Sequence, residues 1–271
     1  MKKNKLCFTK VVASGNDFIL LNNKKGEMDH LCLDYPDLAR DLCRRRYAVG
    51  ADGILVLERS GKADFRMRII NSDGSEADMC GNGARCSAWY ASANGWGNML
   101  TIETGAGIIE AVVKDESVKL KMSDPKEIKL NIDLETGSGS MTVHKINTGV
   151  PHAVQIVEDL DNYNVQDIGR KVRQHPLFAP AGTNADFVGK VKNNSASVRV
   201  YERGVEDETL ACGTGTVASA VILGLLGKVT SPVKMLTKSG EVLTVYFSLS
   251  NKKVTDVFLE GKAQIVYEGK L

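Results

Sequence analysis

Residues 217–227 read VASAVILGLLG, a run whose only polar side chain is Ser219. The pattern predicts a helix over 215–226. A helix that is apolar all round has no face to turn to water, so the rest of the fold must enclose it. It is too short to cross a bilayer, which takes about 20 residues. A second nearly uncharged helix is predicted over 83–93. Most of the remaining chain reads as short strands, clearest at 65–70, 118–122, 153–157, 197–201 and 242–247, where alternation or β-branched enrichment marks them. A further helix is predicted over 37–47, with Leu38, Ala39, Leu42 and Cys43 on one face and Arg44 to Arg46 near its C-terminal end, as the helix dipole favours. The fold class expected is α/β (α+β-like): two similar halves, each a mostly antiparallel or mixed β-sheet wrapped around one central helix. The polar stretch 123–140 reads as the crossing between them.

Both central helices are preceded by the same short pattern, Cys80-Gly81-Asn82-Gly83 and Cys212-Gly213-Thr214-Gly215, with a glutamate four residues before each cysteine, Glu76 and Glu208. Backbone N–H groups and the helix dipole favour negative charge at such a position, so these are the thiols expected to ionise most readily. The shared glutamate offset reads as bracing of the two loops. Beyond the loops the halves share little visible identity.

The whole chain narrows the function. Its 271 residues are 43% hydrophobic and 25% charged, enough apolar mass for one large core or two moderate ones. Thirty-five basic side chains balance 33 acidic ones without a basic stripe, which argues against a nucleic-acid partner. The Lys-rich start, residues 1–5, is followed by apolar residues cut by Ser14-Gly15-Asn16-Asp17, so no signal peptide is expected. A cytoplasmic protein without a membrane partner is the expectation. Six cysteines in a chain this long do not make a disulfide framework, and without a CxxC pair or clustered histidines no metal site is expected. Cys7, Cys32, Cys43 and Cys86 read as small buried hydrophobes.

Two activated thiols facing one small molecule suit a cofactor-independent racemase or epimerase. One, as thiolate, removes a proton from carbon, and the other, as thiol, delivers one to the opposite face. An amino-acid α-proton is so weakly acidic that the developing carbanion must be stabilised and water excluded. The glycine-rich helix starts offer N–H groups for the α-carboxylate on which that charge accumulates.

The strings Asn71-Ser72-Asp73-Gly74-Ser75-Glu76 through Cys80-Gly81-Asn82-Gly83-Ala84-Arg85-Cys86, and Tyr201-Glu202-Arg203-Gly204 through Cys212-Gly213-Thr214-Gly215-Thr216, closely resemble the diaminopimelate epimerase family. Gly15-Asn16-Asp17-Phe18, Val49-Gly50-Ala51-Asp52-Gly53, Pro151-His152 and Gly182-Thr183-Asn184-Ala185-Asp186-Phe187 extend the match in the family's order over almost the full chain. The resemblance implies interconversion of LL- and meso-2,6-diaminopimelate without pyridoxal phosphate, metal or nucleotide, for lysine and peptidoglycan precursor synthesis. It implies a small-molecule substrate, a homodimer, and two domains, 1–124 (joined by the C-terminal strand 263–271) and 125–262, with the active site in the cleft between them. Cys80 then corresponds to the thiolate acting on the LL-isomer and Cys212 to the thiol on the other face. Gly81, Asn82, Gly213 and Thr214 match the loops that hold the reacting carboxylate. Asn16, Asn71, Asn184, Glu202 and Arg203 match substrate-recognition positions, and His152 and Glu202 match residues that support activity.

Two positions depart from the pattern: Val150 stands where many members carry asparagine before Pro-His, and Gly53 where many carry glutamine. The alternative enzyme is a proline racemase-like or hydroxyproline epimerase-like protein, which typically has histidine where Asn82 stands and no use for Glu202 and Arg203 at a distal substrate end. A thiol redox-sensing or binding protein is the alternative of a different class.

Overall fold

The computed structural model describes residues 6–136 and 139–271, so the Lys-rich start lies outside the described residues, as do Gly137 and Ser138. The chain divides into two compact units, Met1–Leu120 with Gly261–Leu271, and Lys121–Glu260.

The first unit holds β1 (Cys7–Ala13), β2 (Asn16–Asn23), α1 (Tyr35–Leu42), β3 (Gly53–Glu58), β4 (Phe65–Asn71), β5 (Glu76–Ala77), α2 (Gly81–Ala93), β6 (Met99–Thr104), β7 (Gly107–Lys114) and β8 (Ser117–Lys121). β1 and β2 are antiparallel, and β2 and β3 run parallel across the α1 connection. β4 is antiparallel to β3 and β5 but parallel to β6, with α2 between β5 and β6. β7 and β8 continue antiparallel. A strand from the far end of the chain, Gln264–Lys270, pairs antiparallel with β1.

The second unit repeats this plan element by element. It holds β9 (Lys126–Thr136), β10 (Gly139–Asn147), β11 (Pro151–Ile156), α3 (Val165–Arg173), β12 (Asn184–Val188), β13 (Ser195–Glu202), β14 (Asp207–Thr209), α4 (Gly213–Leu225), β15 (Val233–Leu236), β16 (Val242–Ser250) and β17 (Lys253–Lys262); Gln264–Lys270 is β18. β9 to β11 are antiparallel, β11 and β12 are parallel across α3, and β13 is antiparallel to β12 and β14 but parallel to β15. β16 and β17 close the order. β9 thus does for β10 what β18 does for β1.

In each unit the parallel pair is covered on both faces, which is why β3 up to Leu57 and all of β12 are buried rather than alternating. Side chains of a strand point alternately to its two faces. On β3, Ile54 and Val56 join the cluster with Ala39 and Cys43 around α1. Leu55, between them, meets Gly83 of α2. On β12, Ala185 and Phe187 pack with Val165 and Val172 of α3. α4 lies against β10, β11, β12, β13, β15 and β16, and residues 215–224 are all buried, as the sequence run demanded. None of the described helices is long and apolar enough to cross a membrane.

The structure corrects several expectations. The stretch 123–140 is not a crossing, for Lys126–Thr136 is a strand of the second unit, hairpinned to β10. Its Ile128, Leu130, Ile132 and Leu134 alternate with exposed charged and polar residues, a half-buried strand pattern hidden by its high charge. α2 and α4 begin two residues earlier than expected, at Gly81 and Gly213, so each cysteine is itself the N-cap. α1 covers Tyr35–Leu42 rather than 37–47, because Asp34 accepts from the Asp37 N–H at 2.9 Å and caps it, and Arg44 to Arg46 lie beyond its end. Cys43 and Cys86 are buried, but Cys7 and Cys32 are exposed. Cys7 sits on the outward end of β1, and Cys32 has a positive φ of 46° just after a short helical turn.

The two glutamates before the cysteines brace their loops through the same device. Arg68 on β4 donates Nε and Nη2 to the two oxygens of Glu76 at 2.8 Å each. Arg199 on β13 does the same to Glu208, at 2.6 and 2.9 Å. Such forked pairs are the strong form of ion pair. They cross hairpins whose returning strands are only two and three residues long and supply few ladder bonds of their own. The forks differ in setting. The Glu208 side chain is 8% exposed and Glu76 44%. Arg199 also donates to the carbonyls of Leu160 and Tyr163, at 2.7 and 3.1 Å. Arg199→Ala is therefore expected to destabilise the protein by about 3 kcal/mol, because it leaves a buried carboxylate with Lys238, 2.8 Å away, as its remaining ion-pair partner among the described residues. Arg68→Ala should cost about 1 kcal/mol, being closer to a surface pair. Urea unfolding of the two variants checks this, and equal losses would contradict it.

Candidate active site

In the first unit the Cys80 loop is built from β2, the approach to β3, and α2. Cys80 has extended backbone angles and caps α2, its sulfur accepting the Gly83 N–H at 3.4 Å. Asn82 is buried and held from both sides: it donates to Asn16 Oδ1 at 2.5 Å and accepts from Arg85 Nη2 at 2.6 Å. Arg85 also donates to Ser14 Oγ at 2.7 Å, and Asn16 donates to Asp52 Oδ2 at 3.0 Å. Asp52 is held in turn by Arg45 at 2.8 Å. Asn16 and Asn82 thus belong to one network under the thiol. A Cβ at Gly81 would meet no heavy atom of the described residues within 4 Å, so packing among them does not require that glycine. Asn71 lies at the exposed end of β4, and its amide donates to Ser75 Oγ at 2.9 Å, closing the hairpin.

In the second unit Cys212 caps α4, with its sulfur 3.4 Å from Thr214 Oγ1. The Thr214 carbonyl accepts from Thr148 at 3.1 Å, which ties the loop to the segment before Pro151. A Cβ at Gly213 would lie 3.1 Å from Leu259. Glu202, half-buried at the end of β13, accepts from Thr209 at 2.5 Å and is also hydrogen-bonded to Cys212. Asn184 links two strands: it donates to the Pro151 carbonyl and accepts the Arg203 N–H, each at 2.9 Å. That holds Arg203 in place by its backbone, while its guanidinium makes no ion pair among the described residues. His152 is fully buried, with Nδ1 2.7 Å from Asp186 Oδ2.

The two thiols differ. Cys80 is partly exposed and Cys212 is buried. Burial, then the charges of Glu202 and Asp186, push the Cys212 thiol well above its ordinary value. The expectation of ready ionisation is therefore corrected for this cysteine. A helix terminus contributes about 1 kcal/mol, up to about 2, whereas full burial shifts a pKa by as much as 3–5 units. Burial likewise pushes the Glu202 carboxyl above its ordinary 4.5. A raised carboxyl value means the folded chain holds its proton longer than the unfolded one, so Glu202 lowers stability as pH rises from 4.5 through the raised value. Glu202→Gln should then have a higher urea midpoint than wild type at pH 7.5, and the difference should vanish near pH 4. An unchanged difference across that range would refute the burial account.

Of the two departures from the family pattern, Gly53 has a local cause. A Cβ there would lie 2.6 Å from the Ile70 carbonyl oxygen, so β4 leaves no room for a glutamine. Val150 sits in the turn before β11, its carbonyl accepting the Thr148 N–H at 3.1 Å. Among the polar residues of these networks that the sequence does not single out are Arg85, Asp52 and Asp186. Arg85 carried a signal, being the single charge in an otherwise uncharged central helix. Among the described residues no cluster of three or more His, Cys, Asp or Glu could hold a metal ion.

Comparison with known proteins places this arrangement. The family model described as diaminopimelate epimerase matches residues 8–128 and 144–266. The chain is 43% identical to a diaminopimelate epimerase of Hydrogenobaculum sp. (strain Y04AAS1), covering 98% of each chain. It is 42% identical to that of Aquifex aeolicus, covering 97% of each. Among solved structures it resembles a PhzF-family phenazine biosynthesis protein of Bacillus anthracis, with a TM-score of 0.73 at 17% identity over 99% of both chains. A hydroxyproline epimerase of Agrobacterium vitis matches with a TM-score of 0.68 at 16% identity, covering 100% of this chain and 93% of the other. At such identities the structural likenesses establish the fold alone, one shared by enzymes with different substrates. The sequence relatives go further, matching from end to end and through both cysteine loops: the chain belongs to the diaminopimelate epimerase family.

Proposed function

We propose that this protein interconverts LL- and meso-2,6-diaminopimelate with Cys80 and Cys212 as its two bases. The observation that carries the reading is the pair of cysteine N-caps on duplicated frames, in unlike surroundings. In the LL direction the Cys80 thiolate takes the α-proton and its sulfur becomes S–H. The electron pair left on carbon is drawn toward the α-carboxylate. The Cys212 S–H then delivers its proton to the opposite face, leaving a thiolate, and the reverse direction exchanges the roles. The state required at the start suits the surroundings: a proton on buried Cys212, beside two carboxylates, and a more accessible Cys80 with a backbone N–H directed at its sulfur.

N–H groups at the starts of α2 and α4, around Gly81, Asn82, Gly213 and Thr214, stabilise the charge on the reacting carboxylate. At the distal end of the substrate Arg203 receives the second carboxylate and Glu202 the ammonium. Asn184 sets the position of Arg203, and Asn16 and Asn71 complete recognition from the first unit. Thiolate and thiol supply both proton transfers, so the reaction calls on no cofactor. The proposal includes a cytoplasmic homodimer that serves lysine and peptidoglycan precursor synthesis.

The test is direct. Reduced protein in deuterated buffer should convert LL-diaminopimelate to the meso isomer with one deuteron at the inverted carbon. Turnover of proline without turnover of LL-diaminopimelate would overturn the reading in favour of the racemase alternative.

A further inference from the structure

Asp186 and His152 form a buried pair for which the duplicated frame offers a control. In the parallel register of the second unit His152 faces Asn184 and Val154 faces Asp186. In the first unit Phe18 faces Gly53 and Leu20 faces Leu55. The alignment is fixed independently by the helices: a Cβ at Gly215 would meet Asp186 Oδ1, and a Cβ at Gly83 would meet Leu55. Phe18 and Leu55 are therefore the counterparts of His152 and Asp186, and both are buried. The frame folds with two hydrophobes at these positions. A buried polar pair is a weak source of stability beside well-packed apolar residues, so the second unit keeps it for another reason.

The pair is also incomplete. Both side chains have no exposed surface, yet among the described residues His152 Nε2 and Asp186 Oδ1 have no hydrogen-bond partner. A carboxylate only accepts, so the 2.7 Å contact requires the proton to be on His152 Nδ1. In the neutral imidazole Nε2 then carries a lone pair, within a cluster that includes Glu202 and Cys212, each of which feels the charge of Asp186. A buried acceptor with nothing to accept is suited to a donor that arrives with the substrate or during the reaction.

We propose that Asp186 is a positioning residue for the epimerase: it fixes His152 in the Nδ1–H tautomer and holds a bare Nε2 ready for an N–H or S–H donor beside Cys212. This rests on the functional reading above, but its central observable does not. Histidine-selective 15N labelling, with His152 identified from the signal missing in His152→Asn, reports the tautomer without any substrate.

Wild type should show His152 with Nε2 unprotonated. Asp186→Leu, which copies the first unit, should move the proton to Nε2 and lower kcat at least about a hundredfold, with KM changed less than about threefold. The isosteric Asp186→Asn keeps one acceptor oxygen and should fall between the two in both readings. It decides the matter if the leucine variant fails to fold. Wild-type tautomer and kcat in the folded leucine variant, or failing that in the asparagine variant, would overturn the proposal. So would loss of kcat with the tautomer unchanged. If wild type does not turn over LL-diaminopimelate while the tautomer still follows Asp186, the functional reading falls and the assignment of Asp186 to His152 stands.

Discussion

Alanine at either Cys80 or Cys212 is expected to lower epimerisation at least about a thousandfold, the upper range for loss of a positioned acid or base. Each thiol faces one side of the carbon in the proposed reaction, so neither can replace the other. The variants should differ in what survives. Without Cys212 the Cys80 thiolate still reaches the α-proton of the LL-isomer and can return it only to the same face. Cys212→Ala should accordingly exchange the α-proton of LL-diaminopimelate with solvent while making no meso isomer. Cys80→Ala should leave the LL-isomer untouched. NMR of the α-proton, together with chiral chromatography, separates these outcomes. Epimerisation near the wild-type rate in either variant would end the two-base reading. Cys80 is partly exposed, so the thermal midpoint of its variant should move little, whereas removal of the buried Cys212 sulfur should lower the midpoint modestly.

The second large effect comes from one methyl group on the floor of the Cys212 loop. A Cβ at Gly215 would stand 2.3 Å from Asp186 Oδ1 and 3.1 Å from Val200. Asp186 cannot retreat, being fully buried and held by His152. Gly215→Ala should therefore cost about 1–3 kcal/mol as an overpacked position and displace Cys212, with activity down at least about a hundredfold. At the equivalent position of the first unit, Gly83→Ala meets the tip of the Leu55 side chain at 3.0 Å, which can rotate away. Alanine also gains up to about 1 kcal/mol over glycine inside a helix. The Gly83 variant should thus hold its thermal midpoint and lose far less activity. Parallel melts and initial rates compare the two, and equal damage would show that Asp186 is not the obstacle.

These two predictions draw on different levels of the molecule. The cysteines could be picked out along the chain because a rare string, Cys-Gly-x-Gly, occurs twice before a helical run. The bracing glutamates could be noticed by their shared offset, although Arg68 and Arg199 could not be assigned to them. Those arginines stand eight and nine residues upstream and reach their partners only across a hairpin. Along residues 126–136 charge outweighs the strand alternation in the sequence, and the strand becomes evident only where β10 pairs with it. The duplication outside the loops left little identity beyond the matched Arg68 and Arg199. Its matched positions carry Phe18 against His152, Leu55 against Asp186, and Asn71 against Glu202, pairs alike in place and unlike in chemistry.

From its residues alone the chain is committed to enclosing an all-apolar helix, to a thiol before each central helix, and to the family whose strings surround them. Those are local properties: hydrophobic pattern, glycine-rich helix starts and spacing act within a few turns of chain. Only tertiary structure decided how the two thiols differ. Burial and the carboxylates of Glu202 and Asp186, brought in from strands 10 and 26 residues away, outweigh the helix dipole at Cys212, whereas Cys80 stays partly open. Charge and solvent act through space rather than along the chain, so two nearly identical strings come to hold unlike sulfurs.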